Sequence, residues 1–326
     1  MGSINLAKHL IWKDNDITAS IDWEKLAETT HRAVRFLDDV ITVNRFVPAI
    51  PELRDAAWKG RRIGLGYMGL ADMLVAIGVR YGSPQGIEAT EQITGFIQQH
   101  AMVSSIRLAK ERGPFPAISG SIYDPKDIKW QPPDWKATKY PYVLWETIME
   151  DLKKYGIRNA ALTTVAPTGT IGTVAGVEGY GIEPIFALSY SRRVNNTAKS
   201  GGSIILKYAS PLFARACAIM RVKEESEAYQ KVLETGSCQN VQGIPEWIQN
   251  VFVTAGDLSW KEHVDMQACA QKFLSNSVSK TINFPRTSTT EDVMKAYMYA
   301  WKKGCCGLTV YVEGSRDSAV LIAGNK

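Results

Sequence analysis

A glycine- and threonine-rich loop is the part of this sequence whose residue types best suit ligand chemistry. It reads Ala-Pro-Thr-Gly-Thr-Ile-Gly-Thr over 166–173 and directly follows an apolar, β-branched run at 159–165, which predicts a buried strand. At the carboxyl end of a strand, Gly169 and Gly172 let backbone N–H groups converge, and the threonine hydroxyls add donors. Such a loop suits a phosphate, although composition alone favours a structural turn because no Walker-type lysine follows.

A second glycine pattern, Gly-Leu-Gly-Tyr-Met-Gly at 64–69, matches the G-x-G-x-x-G dinucleotide fingerprint. That fingerprint works only after a parallel strand, and residues 57–62 form no apolar strand. Glu88, at about the right distance to bind a ribose, falls inside a predicted helix. We therefore expect a glycine-rich helix start packed closely against a neighbouring element, with a nicotinamide dehydrogenase as the less favoured alternative.

The sequence has five cysteines, Cys217, Cys238, Cys269, Cys305 and Cys306, and they form no C-x-x-C pair. No two of the four histidines stand at ligand spacing, so we expect no metal site. Cys217 and Cys269 lie on apolar helix faces and are expected to be buried, unreactive thiols. The adjacent Cys305 and Cys306 are the only candidate redox pair.

Four charged residues near the 166–173 loop are further candidates. Arg192 and Arg193 either face a phosphate or form an exposed ion-pairing surface, and the second reading is favoured. Glu178 and Glu183 are conceivable as acid and base. For Glu183, which precedes a proline, a structural hydrogen bond is favoured.

Hydrophobic periodicity and capping signals predict an alternation of helices and strands. The first predicted helix begins after Asp22, and the other predicted helices span 84–110, 142–155, 211–222, 224–234, 259–274 and 290–303. The predicted strands are 159–165, 278–284 and 308–312. Six of the 14 prolines lie between 113 and 141, where we expect an irregular excursion.

The composition is that of an ordinary globular protein, with 45% hydrophobic and 22% charged residues. The net charge of +5 is spread along the chain, so no nucleic-acid partner is expected. No apolar run is long enough for a membrane span and no signal peptide is recognisable, so we expect no membrane partner and a cytoplasmic protein.

A set of motifs in a fixed order resembles the catalytic chain of ribonucleotide reductase, specifically its adenosylcobalamin-dependent (class II) branch. Besides 166–171, the matching motifs are Gly-Ser-Ile-Asn-Leu-Ala at 2–7, Arg-Arg-Ile-Gly-Leu-Gly at 61–66, Arg-Gly-Pro-Phe-Pro at 112–116, Gly-Ile-Glu-Pro at 181–184, Ser-Arg-Arg-Val at 191–194, Ser-Lys-Thr-Ile-Asn at 279–283, Thr-Val-Tyr at 309–311 and Gly-Ser-Arg at 314–316. The resemblance spans nearly the whole chain.

The resemblance implies an α/β fold, the C-terminal portion of a ten-stranded α/β barrel, as a single partial domain over 1–326. In this family a thiyl radical abstracts hydrogen from the ribose of a ribonucleoside di- or triphosphate, and adenosylcobalamin supplies the radical in this branch. The substrate phosphates rest on the loop matched here by Pro167, Thr168, Gly169, Thr170 and Ile171. A thioredoxin-like reductant serves the complete enzyme.

The sequence departs from the family in one large respect. It has no Asn-x-Cys-x-Glu segment, which carries the radical cysteine, and the reductant cysteines would lie upstream of Met1. We therefore expect no catalytic cysteine in this chain, which would be the C-terminal half and would need a complementary N-terminal half. The alternative is a non-catalytic nucleotide-binding or scaffold remnant of the same fold.

Overall fold

The computed structural model describes residues 1–46, 50–134, 143–196, 202–315 and 321–324. For 193–196, 202–204 and 321–322 it describes the backbone only. The strands are β1 (Gly2–Asn5), β2 (Leu10–Trp12), β3 (Ala19–Ile21), β4 (Leu65–Met68), β5 (Ser189–Asn196), β6 (Gly202–Ala209), β7 (Thr281–Phe284), β8 (Thr309–Val312) and β9 (Leu321–Ala323). The helices are α1 (Trp23–Asn44), α2 (Pro51–Gly60), α3 (Leu70–Ala76), α4 (Pro84–Arg112), α5 (Trp145–Tyr155), α6 (Gly169–Ala175), α7 (Pro211–Ile219), α8 (Glu227–Thr235), α9 (Glu246–Val251), α10 (Trp260–Gln271) and α11 (Thr290–Lys302).

Five extended segments run parallel, in chain order. β1 pairs with β4, Leu65 of β4 bridges Thr163, Val165 bridges Val278, and β7 pairs with β8. Within the described residues, the outer edges of β1 and β8 have no strand partner. The arrangement is an open parallel sheet whose connections carry helices, as is usual for the crossovers between parallel strands.

The predicted strand at 159–165 is wrong as a regular strand, although most of its residues are buried and it lies at the centre of the sheet. The Leu65 amide donates to Leu162 O, and the Thr164 amide donates to Leu65 O. On the other side, the Ser279 amide donates to Val165 O. Each pairing is only two or three residues long, so the segment forms isolated bridges.

Capping residues set the helix starts as predicted. Asp22 accepts from the Lys25 amide at the start of α1, and Ser83 caps α4 ahead of Pro84. Ser259 and Glu262 form the expected capping box of α10. The predicted helix start at Tyr142 lies outside the described residues, and α5 begins at Trp145.

Several boundaries differ from the predictions. α7 ends at Ile219 and α8 begins at Glu227, so both helices are shorter than predicted. β7 begins three residues later than predicted, because its pairing with β8 begins at Thr281 and Val278 forms only an isolated bridge to Val165. Residues 113–134 contain turns and no helix or strand. Within the described residues, no helix is both long and apolar enough to cross a membrane.

The sheet and the central helix α4 share one large core. α4 has 16 buried residues, including Phe96 and Ile106, and all seven residues of α3 are buried. A buried polar cluster joins the layers: Asp38 of α1 accepts from Arg61 at 2.7 Å and from Asn159 at 3.0 Å. This cluster fixes the start of the central segment that leads to the glycine–threonine loop.

Candidate functional site

The glycine–threonine loop turns sharply from the central segment into α6. Thr168 adopts a left-handed backbone, with φ +52°, and its carbonyl accepts the first intrahelical bond from the Gly172 amide at 2.7 Å. A non-glycine residue in this region is strained, and the strain is placed at the turn. Neither Gly169 nor Gly172 has a positive φ, so the left-handed residue of the loop is Thr168.

The threonine hydroxyls of the loop divide into structural and open ones. Thr168 Oγ1 accepts from the Gly181 amide at 2.7 Å, and the residue is buried. Thr173 Oγ1 donates to Gly169 O at 2.9 Å. Thr170 is exposed, and the first three amides of a helix have no carbonyl acceptor within it. The open donors are therefore the Thr170 hydroxyl and the amides of 169–171.

One arginine stands beside these donors. Arg192 of β5 is half-buried, and its Nη1 donates to Thr173 Oγ1 at 3.0 Å, one turn beyond the helix start. This contact brings a positive charge to the side of α6. The side chain of Arg193 is outside the described part of the structure.

A cavity of about 470 Å³ opens next to the loop. Its walls come from three neighbouring segments of the parallel sheet, residues 164–167, 277–280 and 306–309, together with Met1. Pro167 belongs to both the loop and the cavity wall. The volume is in the range of small-molecule sites, and the cavity borders the loop that leads into α6.

A buried lysine forms part of the cavity wall. Lys280 Nζ donates to Glu183 Oε2 at 2.7 Å and contacts His263 Nδ1 at 3.0 Å. Burial lowers the pKa of Lys280, and the Glu183 carboxylate opposes that shift. Glu183 also accepts from the Thr281 amide at 2.6 Å. The glutamate joins the 180–184 turn to β7, in agreement with the structural reading favoured from the sequence.

Glu178 and Asp72 form a pair of buried carboxyl groups behind the loop. Asp72 accepts from the amides of Glu178 and Gly179 at 2.8 and 2.7 Å. Burial and the nearby Asp72 charge raise the pKa of Glu178 to about 7. Glu178 Oε1 accepts from the Leu212 amide, and Oε2 has no hydrogen-bond partner among the described residues. The pair joins α3, the loop end and α7, away from the cavity.

The cysteines are all free. Cys217 and Cys269 are buried and burial raises the pKa of both thiols, to about 12 for Cys217, which agrees with the predicted unreactive state. Cys305 is half-buried, with its pKa raised to about 11 by burial, while Cys306 is exposed on the cavity wall. In the described residues, no group of His, Cys, Asp or Glu could hold a metal ion.

The 64–69 pattern is not a dinucleotide site. The glycine-rich helix start expected there is only partly right, because four of its residues form β4 and only Gly69, with φ +75°, caps α3. A Cβ on Gly66 would lie 2.0 Å from Thr164 O, so glycine permits close strand contact. The amide of Gly69 donates to Gly179 O, and α3 is wholly buried, which leaves no room for a pyrophosphate.

Sequence reasoning missed three contributors to the site. β4 and the β5–β6 hairpin were not predicted, and the hairpin carries Arg192. The buried position of Lys280 was also missed. A lysine two residues after an apolar valine, at the start of a predicted strand, was the available signal for an inward-facing charge.

Comparison with protein families gives one match that covers most of the chain. The family model described as the ribonucleotide reductase barrel domain matches residues 1–311. A protein of Thermoplasma acidophilum named vitamin B12-dependent ribonucleoside-diphosphate reductase is 37% identical over 324 residues, which are 99% of this chain and 37% of that protein. A Mycobacterium tuberculosis H37Rv protein of the same name is 37% identical over 321 residues, 98% of this chain and 39% of that protein. The chain thus spans about two fifths of the length of these relatives, within their C-terminal half.

A solved structure gives the same fold. The alpha subunit of the class Id ribonucleotide reductase from Actinobacillus ureae superposes with a TM-score of 0.68 at 20% sequence identity, covering 96% of this chain and 49% of that one. This likeness confirms the expected fold class, the C-terminal portion of a barrel of this type.

Proposed function

Because the chain belongs to the ribonucleotide reductase barrel-domain family, we propose that it is the part of a vitamin B12-dependent ribonucleoside-diphosphate reductase that holds the substrate's phosphates. The relatives' name favours a diphosphate over the triphosphate left open by the sequence. The proposed phosphate site is the loop of Pro167, Thr168, Gly169, Thr170 and Ile171.

The observation that carries this proposal is the set of open donors at the start of α6. The amides of 169–171 have no acceptor within α6, Thr170 is exposed, and Pro167, just before the helix, lines the 470 Å³ cavity. Hydrogen bonds to a charged group contribute about 1.5–3 kcal/mol each. Two or three such bonds suffice for a phosphate without a dedicated lysine.

Two residues of the loop and one neighbouring arginine have separate tasks in this proposal. Thr168 holds the turn by accepting from the Gly181 amide, so it positions the donors. Gly169 leaves space at the helix start, where no described atom lies within 4 Å of a would-be Cβ. Arg192, beside Thr173, favours a dianionic group electrostatically. Neutral donors bind a phosphate without offering a group that a nearby radical would oxidise.

The radical chemistry itself is proposed to reside outside this chain. In the family's B12-dependent branch, adenosylcobalamin supplies the radical. The five cysteines do not supply an Asn-x-Cys-x-Glu segment, so a complementary N-terminal half brings the radical and reductant cysteines. A thioredoxin-like reductant then serves that half.

Completion of the sheet is the structural side of the same proposal. The outer edges of β1 and β8 carry unpaired backbone groups among the described residues, and open edges of this kind seek another strand. Five parallel segments are half of the ten that the family resemblance implies. Hydrogen exchange of the isolated chain tests this: uniformly strong protection at both edge strands without a partner would contradict it.

Nucleotide affinity tests the phosphate loop. The chain is combined with the segment that precedes the matched region in the Thermoplasma acidophilum relative, and binding of a ribonucleoside diphosphate is measured by calorimetry. Thr170→Ala is expected to weaken binding at least about tenfold, from the loss of one bond to a charged group. Gly169→Val is expected to weaken it further, because a branched side chain enters the space over the donors.

The matched control is Ile122→Ala, an exposed apolar position in the irregular excursion. If both loop variants bind the diphosphate as tightly as this control, the phosphate assignment is wrong and the loop is a structural turn. Diphosphate binding without reduction, when the complete complex is supplied with adenosylcobalamin and a dithiol, would favour the scaffold alternative.

A further inference from the structure

The last turns of α1 carry an apolar flank that no described residue covers. Phe36, Val40 and Val43 follow one another at helical spacing and are 67%, 38% and 62% exposed. On a helix with 3.6 residues per turn they cover an arc of about 60°. We call these three residues the α1 flank.

The α1 flank points away from the neighbouring helix α4. On α4's side of α1, the Trp23 ring lies 4.8 Å from the ring of Phe96, and the His31 ring bonds the ring of His100 at 3.0 Å. At 3.6 residues per turn, Trp23 and His31 lie roughly 100–180° around the helix from the three residues of the α1 flank. The flank is therefore the side of α1 opposite α4.

The α1 flank also lies on the side of the open sheet edge. Leu37 packs over Gly2 of β1, with 3.6 Å between its Cδ1 and the position of a Gly2 Cβ. α4 covers the inner strands, where Tyr67 of β4 bonds Thr94. Away from α4, the described residues place no strand beyond β1. The next strand on this edge would bring its own helix alongside α1.

Only the first turns of this side of α1 are covered. Lys25 Nζ donates to Lys8 O at 2.8 Å, and Thr29 bonds the His9 ring at 2.9 Å. Both partners belong to the segment just after β1. Beyond Thr29, in the described part of the chain, this cover ends and the three apolar side chains follow.

We infer that the α1 flank docks an apolar helix face from the part of the reductase that lies upstream of the matched region in the longer relatives. The inference rests on the proposed function, because the same upstream part must complete the sheet. Its occupant follows from three observations: the relatives are more than twice as long, the flank adjoins the open β1 edge, and its side chains are uncharged. A helix covering such a flank buries apolar groups rather than forming ion pairs.

The test measures association and its footprint together. The chain is titrated with the upstream segment of the Thermoplasma acidophilum relative, and hydrogen exchange is followed at 2–5 in β1 and at 36–44 in α1. We expect both segments to gain protection. The double variant Phe36→Ser/Val43→Ser should bind at least about tenfold more weakly, whereas Ile122→Ser, also exposed and apolar, should bind as wild type.

The possible outcomes distinguish this inference from the proposed function on which it rests. Protection of β1 without protection of α1, or an unchanged affinity of the double variant, overturns the inference and leaves sheet completion standing. Absence of any complex with the wild-type chain contradicts the proposed function, and the inference with it. Self-association of the isolated chain that the double variant abolishes, with wild-type affinity for the upstream segment retained, assigns the flank to a second copy and overturns the inference.

Discussion

Ionisation of Glu178 should make the stability of this chain fall as the pH rises. Burial and the Asp72 charge raise the pKa of Glu178 from 4.5 to about 7. Below about pH 4.5 the carboxyl is protonated in the folded and unfolded states alike, and its burial has no ionisation cost. Above pH 4.5 the unfolded chain ionises freely while the folded chain resists, so stability is lost until about pH 7, where the cost becomes constant.

The magnitude follows from the size of the shift. One pKa unit corresponds to about 1.4 kcal/mol, so the full cost is roughly 3 kcal/mol, of which about 2.5 kcal/mol develops between about pH 5 and pH 8. Glu178→Gln removes the ionisation and keeps an oxygen that accepts from the Leu212 amide. The variant should therefore lose about 2.5 kcal/mol less stability over this interval than the wild type.

Other titratable groups also make the stability of the chain depend on pH. Burial lowers the pKa of His263 to about 3 and that of His100 to about 4, so both favour folding increasingly as the pH rises toward about 6.5. Burial raises the pKa of Asp72, which adds a slope of the same sign as that of Glu178. The histidine contributions remain in Glu178→Gln and cancel, so the difference between the two proteins reports Glu178 together with its interaction with Asp72.

Urea unfolding followed by tryptophan fluorescence at about pH 5 and pH 8 measures this difference. Glu150→Gln, on the exposed side of α5, is the matched control and should follow the wild type. If the stabilities of wild type and Glu178→Gln change in parallel with pH, the carboxyl is ionised at no cost and the reasoning from its burial is wrong.

Three further substitutions test packing and buried charge. Gly66→Ala should lower the free energy of unfolding by roughly 3 kcal/mol, because its Cβ would meet a backbone oxygen at 2.0 Å. Gly169→Ala should lower it by less than about 1 kcal/mol, and equal urea midpoints for the two variants would contradict this. Asp38→Asn should cost about 3–5 kcal/mol by leaving buried arginines without a counter-charge, and a calorimetric Tm equal to that of the wild type would refute it. Lys280→Met should destabilise the chain by a similar amount at neutral pH, and adding Glu183→Gln should restore part of the loss; a double variant less stable than Lys280→Met alone would argue against the pair.

Local signals in the sequence predicted the helices better than the sheet. Asp22, Ser83 and the Ser259 capping box mark helix starts because a cap acts within three residues of itself. β1 and β4 have only four residues each, and β4 contains Gly66, which its close approach to Thr164 requires, so propensity does not reveal them. Their pairing is decided by contacts more than 60 residues apart in the chain.

The loop was found from its sequence, while the contacts that shape it were not. Glycines and threonines after an apolar run indicated a turn with converging amides, which is what the structure contains. Thr168 adopts the left-handed conformation because its hydroxyl then accepts a hydrogen bond from the Gly181 amide. Gly181 is 13 residues away, so no local pattern indicates this bond. Arg192 reaches the loop only through a hairpin that pairs over eight residues, and no local pattern announces such a contact.

The buried cluster around Asp38 has a consequence for the order in which this protein is made. Arg61 follows Asp38 by 23 residues, but Arg158 and Asn159 follow it by 120 and 121. At about 5–20 residues per second, a ribosome needs roughly 5–20 s to pass from Arg61 to Asn159. For that time the nascent α1 and α2 hold a charge pair that water must still solvate. The desolvated cluster is therefore a late event of biosynthesis, and it closes only after the whole of α4 has been made.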